Sequence, residues 1–290
     1  MRRAFIVLAS LVGLLLIAAA AVFVTGKVPG PMGGLRIALP LRNPVLVRPT
    51  LAHSDWSATA ADGVTLRGWV FPPATAPKGL IVYLHGKDEN RSFGATVAER
   101  YVPKGYEVLT FDLRGHGRSG GWLTTYGARE VGDLTRALDT IPIEPVILIG
   151  KSLGAAIALQ AAANDHRVRG VVAAASFADL ETRIREAAGG LEVAPSFGWL
   201  ARNADLRVKD MSPRKAASQI RVPVLLVHGT HDTVTPFHHS QDIFDALAGD
   251  KRLLKVDGAG HDGILNESVV WQAIDELLAS VSRPAQQDGR

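Results

Sequence analysis

Residues 150–154, with the sequence Gly-Lys-Ser-Leu-Gly, contain two overlapping patterns that belong to different chemistries. A phosphate-binding loop ends in Gly-Lys-Ser, whereas a nucleophile elbow has the pattern Gly-x-Ser-x-Gly. The phosphate loop also needs a glycine five positions before its Gly-Lys pair, because its backbone N–H groups wrap around a phosphate. That position is Pro145, and the four apolar residues after it are typical of a buried strand. The sequence therefore predicts Ser152 as a nucleophile and not Lys151 as a phosphate ligand.

The elbow pattern also predicts the local backbone. Ser152 is expected on a sharp, strained turn between a strand and a helix. Gly150 and Gly154 are expected where the strand and the helix pass too closely for a side chain.

A serine nucleophile needs a general base, and the base needs an acidic group that orients it. After a nucleophile elbow these partners follow in the order Asp or Glu, then His, in loops after late strands. Asp232 follows the apolar stretch 222–229, and His261 follows a second strand pattern that begins at residue 252. The spacing between them leaves room for one helix and one strand. The sequence therefore predicts a triad of Ser152, Asp232 and His261.

Both partners have rivals in the sequence. His116 is an alternative base, although its Gly-rich surroundings are more typical of a turn, and Asp205 and Asp210 are alternative acids. Several histidines surround Asp232 in the sequence, namely His228, His231, His238 and His239. Their spacing lacks the His-x-x-x-His pattern of a metal site, so a metal is not expected.

Acyl transfer also needs backbone N–H donors for the oxygen that becomes negative in the transition state. The sequence predicts these donors at Leu153, which follows the nucleophile, and at Lys87, in the loop after the first parallel strand. Lys151 is interpreted as a solvated side chain beside the elbow. A second hypothesis is that Lys151 and Lys87 form a cationic rim that selects acidic substrates.

The elements that position these residues are visible as apolar runs. Two runs flank Asp62-Gly63, a dipeptide typical of a β-hairpin. Further strand patterns occupy 79–86, 106–115, 145–150, 168–177, 222–229 and 252–261. Helical patterns occupy 127–140, 155–163, 237–247 and 269–281. Strands that alternate with helices predict an α/β fold with a mostly parallel sheet covered by helices.

The alternation is interrupted at residues 178–220, which are expected to form a helical cap insertion. This stretch is longer than a usual helix–strand connection and carries apolar residues of its own. Phe177 and Trp199 are expected to shape an acyl pocket.

Five segments together resemble the α/β-hydrolase superfamily: LHGKDENR, FDLRGHGRSGG, GKSLG, GTHDTVTP and GAGHDG. They are most similar to a membrane-anchored subgroup of esterase- and lipase-like serine hydrolases, related to serine aminopeptidase-like hydrolases. The resemblance covers about residues 55–280 and implies an eight-stranded sheet, the triad named above and no cofactor. Two positions depart from the subgroup: Lys87, where Asn is frequent, and Lys151, where an aromatic residue or His is more usual.

The N-terminus predicts a membrane anchor. Residues 4–24 are 21 residues without a charge, and roughly 20 apolar residues cross a bilayer as a helix. We therefore expect a signal-anchor or transmembrane segment at 1–27, with the catalytic domain outside the cytoplasm. The alternative is a cleaved signal peptide and a secreted or periplasmic protein. A Pro/Gly/Arg linker at 28–50, a hydrolase domain at 51–282 and a disordered tail at 283–290 complete the predicted organisation.

The distribution of charge and the amino-acid composition limit the classes of partner that the protein is expected to bind. The first fifty residues hold six basic and no acidic residues, so 26 basic and 28 acidic residues remain in the rest of the chain. The basic residues therefore indicate either contact with anionic lipid headgroups or a solvated stalk, and not a nucleic-acid surface. The absence of cysteine excludes disulfides and thiolate chemistry.

The function expected from these residues is hydrolysis of a carboxylic ester or thioester through an acyl-enzyme, on a small-molecule or lipid acyl substrate. Two alternatives stay open: a peptidase for short peptides, with Glu181 or Glu186 binding a free amine, and a membrane-tethered binding protein of the same fold.

Overall fold

The computed structural model describes residues 39–42, 47–187 and 208–281. The predicted membrane span at 4–24, most of the linker, the centre of the cap insertion with Trp199 and the tail at 283–290 lie outside the described residues. Within the described ranges, no helix combines the length and the apolar character that crossing a membrane requires.

An eight-stranded sheet organises the domain, with the strand order β1-β2-β4-β3-β5-β6-β7-β8. The strands are β1 Ser54–Thr59, β2 Thr65–Phe71, β3 Leu80–Leu84, β4 Glu107–Asp112, β5 Val146–Lys151, β6 Val168–Ala174, β7 Val224–Gly229 and β8 Lys251–Val256. The first two strands form the hairpin predicted around Asp62-Gly63 and pair antiparallel, as do β2 and β4. All later pairings are parallel. The predicted strands and the mostly parallel sheet are thus confirmed.

Both faces of the sheet are covered, which explains why its strands are continuous apolar runs. Successive side chains of a strand point to opposite faces. In β5, Leu148 belongs to one buried cluster, whereas Ile147 and Ile149 belong to another. The sheet therefore separates two apolar layers and is held from both sides.

Helices supply the other half of each layer. They are α1 Ala95–Tyr101, α2 Glu130–Asp139, α3 Leu153–Ala162, α4 Leu180–Ala187, α5 Pro213–Ala217, α6 His238–Ala246 and α7 Ser268–Val281. Leu134 of α2 and Ile157 of α3 pack in one layer, and Val97 of α1 and Ile274 of α7 pack in the other. The four predicted helices correspond to α2, α3, α6 and α7.

The short helix α1 was not predicted from the sequence. It has seven residues, of which Val97, Ala98 and Tyr101 are buried. Two turns are too few to display a 3.6-residue apolar period, so the pattern carries no clear helical signal.

The described part of the insertion between β6 and β7 is helical. It contains α4, α5 and a 3-10 turn at Val208–Asp210. Leu180 and Ile184, one turn apart on α4, are buried in the layer that contains α2 and α3. The visible start of the insertion is therefore packed against the domain.

Candidate active site

Ser152 lies between β5 and α3 in a backbone conformation with φ 53° and ψ −113°. Non-glycine residues rarely adopt a positive φ, and such strain concentrates at functional sites. The Ser152 N–H donates to the carbonyl of Ala174 at 2.8 Å, which fastens the turn to the neighbouring strand β6. The strained turn expected from the elbow pattern is thus present.

The two elbow glycines meet backbone atoms that cannot move aside. A Cβ on Gly150 would lie 2.4 Å from the carbonyl oxygen of Gly154, and a Cβ on Gly154 would lie 2.0 Å from that of Leu84. Both distances are far inside van der Waals contact. The close strand–helix approach predicted at these two positions is therefore observed.

His261 and Asp232 complete a hydrogen-bonded chain with Ser152. His261 Nε2 lies 3.0 Å from Ser152 Oγ, and His261 Nδ1 lies 2.7 Å from Asp232 Oδ2. Because Nδ1 faces a carboxylate, that nitrogen carries the proton, and Nε2 is left to accept from the serine hydroxyl. Asp232 follows β7 and His261 follows β8, so the three residues meet at the carboxyl edge of the sheet, where open α/β sheets bind ligands.

The carboxylate of Asp232 is buried and heavily hydrogen-bonded. Its Oδ1 accepts from the backbone N–H groups of Val234 and Thr235, each at 2.8 Å. Burial by itself raises the pKa of Asp232, but hydrogen bonds from His228, His261 and the Thr235 backbone outweigh it and hold this pKa well below its usual value. The aspartate is therefore ionised at neutral pH and can stabilise a charged imidazole.

His228 is a member of the site that the sequence analysis missed. Its Nε2 lies 3.2 Å from Asp232 Oδ2 and 2.6 Å from the carbonyl of Thr235, while its Nδ1 lies 2.6 Å from Ser240 Oγ. Both neighbours of His228 Nε2 are acceptors, so this nitrogen carries the proton. The Ser240 hydroxyl therefore donates to His228 Nδ1. The four-residue separation from Asp232 gave no signal, because His228 belongs to a strand and the contact depends on the loop folding back.

The loop after β3, residues 85–90, is called the β3 loop. His85 is fully buried at its start; His85 Nε2 accepts from the Leu113 N–H at 3.0 Å, and His85 Nδ1 lies 2.7 Å from the carbonyl of Gly86. Burial lowers the pKa of His85 and so favours its neutral form. This ring therefore fixes the backbone directly before Lys87.

Leu153 directly follows Ser152, and Lys87 lies in the β3 loop. Leu153 is the first residue of α3, and the N–H of a first helical residue has no acceptor within its own helix. Lys87 follows Gly86 in the β3 loop, and its ammonium group lies 3.1 Å from Asp88 Oδ1. Their assignment as oxyanion donors stays a prediction.

Lys151 does not have the solvated side chain that the sequence analysis expected. It is 7% exposed, and its Nζ donates to Glu89 Oε1 at 2.5 Å and to Asp262 Oδ1 at 3.0 Å. Burial lowers the pKa of Lys151, but attraction and hydrogen bonds from both carboxylates outweigh it and raise this pKa above its usual value. The charge is thus satisfied internally, which also removes the basis for a cationic rim with Lys87.

The two rival candidates that the structure describes, His116 and Asp210, lie outside this chain of hydrogen bonds. His116 is buried, its Nδ1 lies 2.9 Å from the carbonyl of Arg114, and its ring packs edge-on against His85. Burial, together with the neighbouring His85, lowers the pKa of His116 to about 3, so its ring is neutral. Asp210 is the last residue of a 3-10 turn, and the acid that pairs with His261 is Asp232. Asp205 lies outside the described residues.

Two of the histidines near Asp232 in the sequence meet Glu186. The Nε2 atoms of His238 and His239 lie 3.0 and 2.8 Å from the two carboxylate oxygens of Glu186. A metal would need a free lone pair on each Nε2. However, His239 Nδ1 accepts from the Ala178 N–H at 3.2 Å, so the proton of the neutral ring lies on Nε2. This group fits a hydrogen-bonded link between α4 and α6 and does not fit a metal site.

Phe177 is 3% exposed and packs edge-on against Tyr126, with ring centroids 5.9 Å apart. It therefore belongs to the apolar layer beside the site, and its role in an acyl pocket stays a prediction. Trp199 lies outside the described residues.

Comparison with known proteins gives two matching family models. The model described as "Serine aminopeptidase, S33" matches residues 75–214, and the one described as "TAP-like protein" matches residues 199–289. Together they span the strands and loops that carry Ser152, Asp232 and His261.

Individual relatives are similar over most of the chain. The uncharacterized protein YfhR of Escherichia coli K12 is 26% identical over 224 residues, which cover 71% of this chain and 74% of YfhR. The monoacylglycerol lipase of Mycolicibacterium smegmatis is 26% identical over 273 residues, covering 78% of this chain and 96% of the lipase. Among solved structures, the esterase Pf2001 of Pyrococcus furiosus superimposes with a TM-score of 0.69 and 25% identity, over 84% of this chain and all of that one.

Proposed function

The chain belongs to the α/β-hydrolase superfamily, and we propose that within it the protein is a serine hydrolase that cleaves carboxylic esters or thioesters. The observation that carries this proposal is the hydrogen-bonded chain from Ser152 Oγ through His261 to Asp232. Such a chain supplies a nucleophile, a general base and the group that orients the base.

In the acylation step, Ser152 Oγ attacks the acyl carbon while its proton passes to His261 Nε2. A C–O bond to Ser152 forms, and the carbonyl π electrons move onto oxygen. When the tetrahedral intermediate collapses, the bond to the leaving oxygen or sulfur breaks, and His261 gives its proton to that atom.

In the deacylation step, water replaces the departed group. His261 Nε2 takes a proton from the water as its oxygen attacks the acyl carbon. The bond to Ser152 then breaks, and the proton returns to Ser152 Oγ. The carboxylic acid leaves, and the side chains regain their starting protonation states.

Two features stabilise the charges that develop. The ionised Asp232 lies against the proton on His261 Nδ1 and favours the imidazolium that forms during attack. The N–H groups of Leu153 and Lys87 are proposed to hold the negative oxygen. One donor of this kind is worth on the order of 10²–10³ in rate.

Small-molecule or lipid acyl esters are the proposed substrates. The similarity to a monoacylglycerol lipase and to an esterase supports this class. Phe177, which lies in the apolar layer that also contains Tyr126, is proposed to line the acyl pocket.

The test uses p-nitrophenyl esters of increasing chain length and a fluorophosphonate probe that labels activated serines. We expect the wild-type chain to hydrolyse the esters and to be labelled at Ser152. Ser152→Ala should lower kcat by a factor on the order of 10⁶, as loss of a triad serine does elsewhere, and should abolish labelling. Ser280→Ala, at the far end of α7, is the matched control and should retain both. Labelling that persists in Ser152→Ala would reject the assignment.

A peptidase for short peptides is a second candidate, favoured by the match to the serine aminopeptidase model. Such an enzyme needs an acidic group for the free amine of its substrate. Glu186 is already engaged by His238 and His239, and Glu181 pairs with Arg185 at the exposed face of α4. Aminoacyl p-nitroanilides, assayed beside the esters, separate the two candidates. Faster turnover of the anilides would favour the peptidase, and absence of turnover and labelling would favour a binding protein.

A further inference from the structure

We propose that Lys151 is a positioning residue, whose ammonium group ties together the two loops that flank Ser152 and so keeps the oxyanion donor and His261 in register. The first is the β3 loop, and the second is the loop after β8, residues 257–263, called the β8 loop. This inference rests on the proposed serine hydrolase function.

The position of Lys151 is suited to this task. It is the last residue of β5 and directly precedes the nucleophile. Its side chain is 9% exposed and contacts Glu89 from one loop and Asp262 from the other. The buried Lys151 ammonium group thus contacts Glu89, which lies 62 residues earlier in the chain, and Asp262, which lies 111 residues later.

Each carboxylate is adjacent to a group with a proposed role in the reaction. Glu89 Oε1 accepts from Lys151, and its Oε2 accepts from the Gly86 N–H at 2.8 Å. Since Gly86 directly precedes Lys87, this bond restrains the backbone that carries the proposed oxyanion donor. Asp262 directly follows His261, so the second contact restrains the loop that carries the base.

Gly86 strengthens the case for the first contact. A Cβ at this position would lie 3.1 Å from Glu89 Oε2. The absence of a side chain lets the carboxylate approach the backbone while it is bound to Lys151. The glycine at position 86 thus permits the Lys151–Glu89–Gly86 chain of hydrogen bonds.

The two contacts should not be equally strong. Glu89 is 12% exposed and shares a dry environment with Lys151, whereas Asp262 is 90% exposed. Ion pairs in water contribute little, and removing one partner of a buried pair leaves an uncompensated charge. We therefore expect the Lys151–Glu89 pair to dominate the positioning and Asp262 to refine it.

The experiment measures kcat and KM for p-nitrophenyl butyrate, with the active sites counted by fluorophosphonate titration. Lys151→Met keeps the length of the side chain and removes its charge. We expect its kcat per active site to fall by about 10- to 100-fold, because misplacement by about 1 Å can cost 10² in rate. KM should change by less than about 3-fold, since the lost interaction acts in the transition state. Lys151→Arg should retain most of the wild-type kcat. The kcat of Glu89→Gln should fall further than that of Asp262→Asn.

Arg167→Met is the matched control. Arg167 also joins two carboxylates, those of Asp139 and Asp165 at 2.8 and 2.7 Å, but it precedes β6 at the opposite edge of the sheet. The control should lose stability in a urea titration while its kcat per active site stays at the wild-type value. An equal loss of kcat in Arg167→Met would mean that activity follows stability alone and would overturn the inference.

A kcat of Lys151→Met within about 2-fold of wild type would also overturn it. If that variant does not fold, Glu89→Gln and Lys151→Arg decide: wild-type kcat in Glu89→Gln rejects the positioning role. The proposed function fails separately, if the wild-type chain hydrolyses no ester and Ser152 is not labelled.

Discussion

Ser152 has a positive φ, and Gly154 leaves no space for a side chain against the Leu84 carbonyl. At the scale of single residues, the reactivity of the hydroxyl therefore depends on the backbone that presents it. Leu84 also leads into the β3 loop, so the same contact spaces the nucleophile from the proposed oxyanion donor.

Replacing Gly154 by Ala should damage both stability and catalysis. The new Cβ would lie 2.0 Å from a backbone oxygen, and overpacking of this kind costs about 1–3 kcal/mol or more of unfolding free energy. We expect lower urea stability and a lower kcat for p-nitrophenyl esters.

Gly132→Ala is the control for this change. A Cβ at Gly132, which lies within α2, has no atom within 4 Å. Alanine should raise the unfolding free energy by about 0.5–1 kcal/mol, because glycine loses more backbone freedom in a helix. Equal stability of the two variants would contradict the steric account of the elbow.

At the scale of elements, the loop after β4 connects the hairpin edge of the sheet to its centre. Arg114 pairs with Asp62 in the β1–β2 turn and with Asp133 on α2. Two residues further on, His116 packs against His85 at the start of the β3 loop. The loop therefore contacts the hairpin and α2 through Arg114 and the start of the β3 loop through His116.

His116 should make stability fall on the acid side of neutrality. Burial lowers its pKa in the folded chain to about 3, whereas an unfolded histidine has a pKa of about 6.5. Between these values only the unfolded state binds the proton, so this contribution is complete above about pH 6.5 and is lost as pH falls towards 3. The slope for one such proton is at most about 1.4 kcal/mol per pH unit.

Urea titrations between pH 6.5 and 4.5 test this behaviour. In His116→Asn the unfolding free energy should decline less steeply with falling pH than in the wild type, by up to the slope of one proton. Ser280→Ala, which removes no titratable group, should keep the wild-type slope. A His116→Asn slope equal to that of the wild type would show that this ring is protonated in the folded chain.

At the scale of the whole molecule, we propose that the domain is tethered to a membrane by residues 4–24. The support is the uncharged stretch of 21 residues and the basic residues on both sides of it. Among the residues that the structure describes at the N-terminal side, Leu41 donates its N–H to Asp88 in the β3 loop, and Arg42 donates to the carbonyl of Ser119.

Fractionation of cells expressing the full chain tests the tether. The wild-type chain should stay with membranes after an alkaline carbonate wash. Leu14→Arg combined with Leu16→Arg should release it, because each charge at the centre of a span costs about 2.5–3.5 kcal/mol. Leu35→Arg, the same change in the predicted linker, should have no effect. A soluble wild-type chain whose intact mass lacks the first residues would instead establish a cleaved signal peptide.

Local sequence patterns predict the strands, the longer helices and the three residues of the hydrogen-bonded chain. Apolar runs, helical periods and the Gly-x-Ser-x-Gly turn are local patterns. They can be predicted because each determines the conformation of a few consecutive residues. Asp232 and His261 could be chosen because both follow strand patterns, and parallel strands bring their carboxyl ends to one edge. Helix α1 was missed because two turns display too little of a period.

The pairing of the polar residues around Ser152 depends on the folded chain and could not be predicted from local patterns. The Gly-Lys-Ser sequence left Lys151 as a solvated side chain or part of a cationic rim, whereas the folded chain buries it between Glu89 and Asp262. The contacts of His228 with Asp232, and of Glu186 with His238 and His239, likewise form only in the folded chain. The partner of a buried charge is set by which distant loops the order of strands brings together, and a local pattern holds no record of that order.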